Sequence, residues 1–566
     1  MVVYLDIEAD VIPSTKVWCV YTFDTESEEY KCHTEAASLV PLLDRAEKIV
    51  AHNLIGYDAP TLNRLWKTKI GLTKARDTLI LSRLLNPSLE GGHSLDAWGK
   101  RLGKKKIDYS RIYWRLRGER KYDKTSMAPF NEPNMSLLHR YCKRDVEVLV
   151  MLHKHLEAEL AEKKFSDQSV QLEHRVAAII QKQVENGFTF DVQKAQILNA
   201  ELSSKMATIE GELQDVFPPI VTERYSEKTG KRLKDKVEVF NLSSRKQIAE
   251  RLMAAGVKLS ARTDKGNFII DEKVLETIES PQAKMLTEYL ILQKTTGLLK
   301  GWFEAVKDGK MHGGVNTNGA VTGRMTHSKP NMAQVPKKKH KYGEECRDCF
   351  MARDGWVLVG ADASGLELRM LAHYMRDDDY TKELLNGDIH TKNQEAAGLP
   401  DRDKAKTFIY AYLYGAGDAK IGSIIGGSAS DGKEIKARFL SQTPALARLQ
   451  SKVAEQASSG WVPGLDGRKV WVRSEHAALN TLLQSAGAIV MKQALCLLWS
   501  TLKRNRIQFG FCANVHDEWQ VETPPESAEI VGMTGIEAIK QAGWQLKLRC
   551  PLDGEYKIGK TWKDTH

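Results

Sequence analysis

Acidic residues stand at the ends of apolar runs at several places in this 566-residue chain. Asp6-Ile7-Glu8 follows the run Val2–Leu5. Residues two apart in a strand project to the same side, so Asp6 and Glu8 would sit together at the strand end while Ile7 turns to the core. Carboxylates that close repel unless a divalent cation neutralises them. A lone Asp-x-Glu is common by chance, but this one has company. Asn53 and Asp58 follow the apolar pair Ile49-Val50, and Tyr141 and Asp145 lie four apart on a predicted helix, on one face. A second set lies in the C-terminal half. The apolar run Val357–Ala361 ends in Asp362, and Val515-His516-Asp517-Glu518 occupies the tip of a predicted β-hairpin. Strand-end acids from two distant segments can meet over one sheet. Between them come Arg402, Lys406 and Tyr410. Each four-residue step advances about 400°, so the three share one helix face. Two cations and an aromatic ring on one face suit a triphosphate with its base or sugar, lysine as a mobile point charge and arginine as a planar fork. Read singly, a turn aspartate is ordinarily just that, and a basic stripe ordinarily faces solvent.

The elements that must position these groups are partly visible. Val2–Leu5 and Trp18–Phe23 read as strands, and Ala59–Trp66 and Asp77–Leu85 as amphipathic helices. They form an α/β domain closing near a helix over Ser136–His155. A helical pattern over 170–186 breaks at Gly187, and a long helix over Val192–Val216 ends at Pro218-Pro219. Glu223–Lys236 is polar and basic and reads as a loop. Ser244 is placed to cap a helix over Gln247–Met253. Further on, Trp356–Gly360 reads as a strand, Leu366–Met375 and Arg402–Tyr414 as helices, and Ile507–Asn514 with Glu518–Glu522 as a hairpin.

Composition narrows the class. At 42% hydrophobic and 28% charged residues, the chain is neither a disordered segment nor a fibre, and its length suits three or four domains. The net charge of +10 is mild, but basic runs recur at Arg101–Lys106, Lys231–Lys234 and Lys337–Lys341. Three such runs favour phosphate contact. Of eight cysteines only Cys346 and Cys349 are closely spaced. With no second pair, reduced thiols are expected rather than a metal site or a disulfide framework. No apolar run approaches the roughly 18–20 residues of a membrane span, and the N-terminus carries no leader pattern, so a cytoplasmic location is expected.

The order Asp6-x-Glu8, then Asp58, then Tyr141-x-x-x-Asp145 resembles the proofreading 3′–5′ exonucleases related to RNase H. The resemblance implies hydrolysis of a phosphodiester with two Mg²⁺ held by Asp6, Glu8, Asp58 and Asp145, and with Tyr141 orienting the water. Mg²⁺ prefers oxygen ligands, and two ions about 3.5–4 Å apart can activate the water and stabilise the leaving 3′-oxygen.

The C-terminal motifs are similar to those of family A DNA polymerases. Asp362-Ala363-Ser364-Gly365-Leu366-Glu367-Leu368-Arg369 looks like motif A, Arg402-x-x-x-Lys406-x-x-x-Tyr410-x-x-x-Tyr414-Gly415 like motif B, and His516-Asp517-Glu518 like motif C. Val321-Thr322-Gly323-Arg324 and Asn331-Met332-Ala333-Gln334 resemble the stretch before motif A, and Asn480–Gly487 the segment before motif C. The likeness covers essentially the whole chain and is nearest to the replicative polymerases of T-seven-type phages. It implies that Asp362 and Asp517 hold two Mg²⁺ with help from the Ala363 carbonyl, and it puts Glu518 in the catalytic set. One ion would lower the pKa of the primer 3′-OH and the other would bind the β- and γ-phosphates. Arg402, Lys406 and His390 would clamp the triphosphate, Glu367 would reject a 2′-OH, and Tyr410 would accept dideoxynucleotides. Arg324 and Gln484 would contact the minor-groove acceptors N3 and O2, and His516 the primer end.

The fold class that follows is α/β (α+β): an RNase H-like exonuclease over residues 1–165 joined to a right-hand polymerase. The thumb spans 166–312, the palm 313–383 and 491–566, and the fingers 384–490. Primer-template DNA and dNTPs are the expected partners of a monomer in the cytoplasm of an infected bacterial host, with a phage helicase-primase as a candidate partner. Phage relatives carry a long thumb insertion that captures thioredoxin. The interval Phe217–Asn241 is too short for it, so thioredoxin is not expected, and no 5′-nuclease domain is expected before Asp6. A repair nuclease, a single-subunit RNA polymerase and a DNA-binding accessory factor are the rivals. The two carboxylate sets and Glu367 argue against them.

Overall fold

Val2–Ala9 is buried on both faces and forms the centre of a five-stranded sheet. It pairs antiparallel with Val17–Asp24, whose other edge carries Tyr30–His33, and parallel with Lys48–Ala51, followed by Ala75–Asp77. Odd-numbered Val3, Leu5 and Ile7 pack with Leu39, Leu43, Leu54 and Leu62. Even-numbered Tyr4 packs with Val146, Leu149 and Val150 of the Met135–Glu162 helix. The strand's period of two thus turns Asp6 and Glu8 toward the helix that carries Tyr141 and Asp145. In this computed structural model, residues 1–123, 125–259, 262–263 and 265–565 are described.

Two units result, each from non-contiguous segments. The first comprises Met1–Asn186, Gly314–Ser328 and Val359–Ile558, and the second Gly187–Gly313, Lys329–Leu358 and Gly559–His566. Besides the sheet above, the first unit holds a four-stranded sheet ordered Gly510–Val515, Glu518–Thr523, Val357–Ala363 and Gly554–Gly559. The long helix Ala478–Arg504 packs against the Ala528–Gln545 helix. By length and apolarity Ala478–Arg504 could cross a membrane, but 83% of its most apolar window is buried in protein, which makes it a core helix. No run of this kind was expected from the sequence, because polar residues interrupt it.

The Asp167–Asn186 helix packs against both Ala478–Arg504 and the Gly510–Val515 strand. Its Glu173 carries a buried ionic cluster. Glu173 Oε1 accepts from Arg468 Nη1 and from Lys492 Nζ, each at 2.6 Å, and Arg468 Nη2 donates to Asp466 Oδ2 at 2.6 Å. None of the four is more than 4% exposed. Nearby, Trp471 Nε1 donates to the Leu85 carbonyl, and Asn318 Nδ2 to the Arg83 carbonyl at 3.1 Å. Breaking a buried ion pair by removing one partner is strongly destabilising, because the other charge stays behind without compensation. Glu173→Ala should therefore cost about 3–5 kcal/mol, read from urea unfolding. A loss under about 1 kcal/mol, the scale of an exposed pair, would mean that water reaches the cluster.

In the second unit, Val192–Val216 and Pro281–Ala305 pack along each other. Leu213, Phe217, Phe240, Ile248, Leu286 and Leu290 belong to their shared core. Ser244 accepts from the Gln247 amide and caps the Arg245–Ala254 helix, as its sequence predicts. The expected loop over 223–236 is instead a hairpin, Ile220–Tyr225 paired antiparallel with Arg232–Glu238. The first strand is exposed along its whole length and the second along most of it, so neither face needs apolar residues. The alternation by which a strand is recognised is therefore absent.

Candidate active sites

The first carboxylate set converges. Asp6 and Glu8 share one side of the Val2–Ala9 strand, and Asp58 receives a hydrogen bond from the Ile7 backbone between them. Asp58 ends the Leu54–Asp58 turn. Asp77 fixes the start of that turn, accepting from the amides of Asn53 and Ile55 at 3.0 Å each. Asn53 has φ +76°, a left-handed conformation that asparagine tolerates. From the covering helix, the Tyr141 hydroxyl hydrogen-bonds Asp145, and its ring stacks on Tyr109 at 5.4 Å. Lys106 pairs with Asp145 and lies 4.9 Å from the Tyr141 ring.

This is an electrostatically unfavourable place for anions. Burial first, then Asp145, pushes the Asp6 carboxyl up to about 7. Burial, with Lys106 opposing, puts Asp145 at about 6. Burial and the neighbouring acids also raise Glu8 and Asp58. Asp145 Oδ1 is buried with no hydrogen-bond partner among the described residues. Four carboxylates offset by one lysine, with an orphaned oxygen, fit a hard divalent cation with oxygen ligands.

The second set meets at a backbone hydrogen bond. The Ala363 amide donates to the Asp517 carbonyl at 3.2 Å, so the end of the Val357–Ala363 strand, which carries Asp362, is held against the hairpin tip. The hairpin loop has two residues, since Val515 pairs with Glu518. His516, the first of them, has φ +59°, the sign a two-residue hairpin loop favours. Asp362 is exposed and Asp517 half-buried. Gly365, at φ +58°, turns the chain into the Leu366–Met375 helix and puts Glu367 in its first turn. Glu367 Oε1 accepts from Arg324 Nη2 at 3.2 Å and from the Tyr414 hydroxyl at 3.0 Å. Burial first, then Glu367, raises the Asp517 carboxyl, and burial, Glu367 and Asp517 raise the Tyr410 hydroxyl. A cavity runs between Arg324, Leu366, Gly487, Met491, His516 and Asp517. Asp517 lines this cavity and Asp362 ends the strand bonded to the hairpin tip, and carboxylate oxygens are the ligands a hard cation takes.

The cationic helix face stands beside this corner. Arg402 and Lys406 are exposed on the Arg402–Leu413 helix. His390 lies 6.4 Å from Tyr410, ring to ring, and burial, Arg402 and Lys406 hold it below the usual histidine range. Its Nδ1 is buried without a hydrogen-bond partner among the described residues. Arg402 Nε donates to Asp388 Oδ2 at 2.6 Å. Two further candidates hold side-chain partners of their own. Glu518 is buried and accepts from Gln520 at 2.7 Å. Gln484 donates to Asn480 at 2.8 Å, one turn before the cavity-lining Gly487.

Sequence reasoning gave no site role to Lys106, Asp77 or Tyr414. Lys106 looked like one cation of a solvated run, yet its side chain is only 17% exposed. Tyr414 carried a signal, standing four residues past Tyr410 on the same helix face.

The chain matches DNA polymerase family A over residues 221–564. It is 36% identical to the DNA-directed DNA polymerase of Escherichia phage T7 and equally to that of Enterobacteria phage T3, in each case over 99% of both chains. Its fold is similar to the POL domain of Pol1 from M. smegmatis, solved in complex with DNA primer-template and dNTP. The TM-score is 0.78 at 18% identity, covering 99% of this chain and 95% of that one. Identity at this level over the full length of both phage enzymes, with the family match spanning more than half the chain, makes it a member of DNA polymerase family A and a DNA-directed DNA polymerase.

Proposed function

We propose that the Asp362–Asp517 corner performs nucleotidyl transfer and that the Asp6–Glu8 edge removes mispaired 3′ ends, in a phage replicative polymerase with its own proofreading. The observation that carries the polymerase assignment is the Ala363–Asp517 backbone bond, which ties together two acids far apart in sequence. Family A DNA polymerases use divalent metal ions. Two Mg²⁺ at each site, when bound, supply the Lewis acidity that activates the attacking oxygen and neutralises the leaving group. Asp362, Asp517 and the Ala363 carbonyl would hold them at one site, and Asp6, Glu8, Asp58 and Asp145 at the other.

The chain's own side chains do the rest. Arg402, Lys406 and His390 bind the triphosphate of the incoming dNTP, and Tyr410 packs against its sugar. Arg324 is engaged by Glu367, so its contact with the minor groove exchanges that partner. His516 sits beside the primer terminus and Gln484 beside the template pair. Glu518 supports the hairpin from its buried position. Tyr141 orients the hydrolytic water at the exonuclease site.

The domain limits proposed are an exonuclease over 1–165, a thumb over 166–312, a palm over 313–383 and 491–566, and fingers over 384–490. Both phage alignments extend over 707 positions, more than the 566 residues present, so those relatives carry segments this chain lacks. That supports a polymerase without the thioredoxin-binding module; the same reading makes it a monomer in the infected host's cytoplasm with a helicase-primase as candidate partner.

Primer extension on a long template, with and without host extract, tests the reading. Mg²⁺-dependent extension that needs no extract is expected, and absence of extension under both conditions overturns it. Glu367 is pinned from two sides, by Arg324 and Tyr414, and in this reading it excludes a ribose 2′-OH. Glu367→Ala should raise rNTP incorporation relative to dNTP by about 10–100-fold, the range of a lost pocket contact. Unchanged selectivity in single-nucleotide kinetics would leave Glu367 without this role.

A further inference from the structure

Behind the exonuclease carboxylates lies a second group of metal-ligating atoms. Cys19 on the Val17–Asp24 strand, Cys32 on Tyr30–His33 and His139 on the Met135–Glu162 helix bring two sulfurs and a ring nitrogen within 4.8 Å of one another. We propose that these three side chains bind a soft divalent cation of the zinc type, at a site distinct from the oxygen-ligand exonuclease centre.

Three observations carry this. The donor set is thiolate and imidazole, which selects zinc-like ions over magnesium. Donors in a tetrahedral zinc site lie roughly 3.5–3.8 Å apart given their bond lengths, so small side-chain rotations close the gap. His139 Nε2 is buried with no hydrogen-bond partner among the described residues, a cost that ligation or an altered ring pose would remove. Cys142, one helical turn after His139, hydrogen-bonds Cys19 but gives its thiol to the Asp6 carbonyl at 3.3 Å and groups with Asp6 and Glu8, so it stands outside this three-ligand set.

The surroundings suit such a centre. Cys19 is fully buried, and Tyr109, Tyr113 and Leu138 pack in the same cluster and exclude water. Cys32 is half-buried on the strand at the sheet edge, which gives an ion a way in. On ligation the two thiol protons leave to solvent. The ion would then fasten the edge strand, its neighbour and the covering helix together. The alternative is that the sulfurs act only as small apolar fillers.

The inference does not depend on the exonuclease reading, and its test reads no activity. The full-length chain, reduced and freed of metal by chelator, is titrated with Co²⁺. One equivalent should give tetrahedral d–d bands with sulfur-to-cobalt charge transfer, both displaced by Zn²⁺. Oxygen ligation at the exonuclease carboxylates gives no charge-transfer band, and an Asp6→Ala, Glu8→Ala background removes that uptake. Cys32→Ser should lose the high-affinity equivalent, and His139→Asn should shift the d–d bands. Cys346→Ser, at the closely spaced thiol pair elsewhere in the chain, should change neither. No charge-transfer band in the unaltered chain, or a band that survives Cys32→Ser and disappears in Cys346→Ser, overturns the proposal.

Discussion

Asp517→Ala should lower primer extension by about 10²–10³-fold, while 3′–5′ degradation of a single strand stays within about twofold. The first figure rests on the scale of losing one preorganised electrostatic group, about 3–4 kcal/mol, and the lost carboxylate is one of two at the corner. The second rests on the separation of the two sets, since sites without shared partners act independently. Burial and the neighbouring Glu367 raise the Asp517 carboxyl, so removing it also removes an unfavourable charge, and the variant should keep its fold. Asp517→Asn retains the shape and should fail nearly as completely. Steady-state extension and end-labelled degradation on the same preparation decide the matter. Loss of both activities in a folded variant would show that the sites are coupled or that the assignment is wrong.

The reciprocal change has a comparably large effect. Asp6→Ala combined with Glu8→Ala should abolish degradation, by about 10³-fold or more on the same scale, and leave extension on a matched primer intact. On a mismatched primer terminus this variant should extend without prior trimming. Burial and mutual repulsion push Asp6 up to about 7 and raise Glu8. Neither carboxylate therefore contributes favourable charge to the metal-free fold. The thermal midpoint in chelator should accordingly hold or rise, whereas added Mg²⁺ should stabilise the unaltered chain more than the variant. Retained trimming by the variant would place the hydrolytic centre elsewhere.

Much of both sites was legible because local periodicity carries it. The two-residue strand period predicts that Asp6 and Glu8 share a side, and the four-residue helix spacing predicts that Tyr141 joins Asp145 and that Lys406 joins Tyr410. The hairpin ending at Asp517 follows from two apolar runs around a polar pair. What was not legible depends on pairing register and on distant packing. Lys106 sits in a basic run that in sequence is indistinguishable from a solvated loop, and only the docking of the Met135–Glu162 helix turns it onto Asp145. Asp77 helps to place Asp58 through backbone bonds across a parallel strand pair. Cys19 and Cys32 face each other diagonally across an antiparallel pair whose register sets Tyr21 opposite Cys32. No spacing rule for metal ligands could have found them. The exposed hairpin Ile220–Glu238 was missed for the opposite reason, because it has no buried face to leave a pattern.

The interior quartet of Glu173, Arg468, Asp466 and Lys492 governs where this polypeptide can be dissected. A fragment starting after Asn186 would fold around one guanidinium and one ammonium group with a single acid to serve them, and it would be expected to precipitate. Starting at Asp167 keeps the counter-ion but still tears away the carbonyls of Arg83 and Leu85 that Asn318 and Trp471 use. An editing-deficient enzyme is therefore reached by altering side chains at the trimming centre. Amputating the N-terminal third would remove part of the scaffold on which synthesis depends.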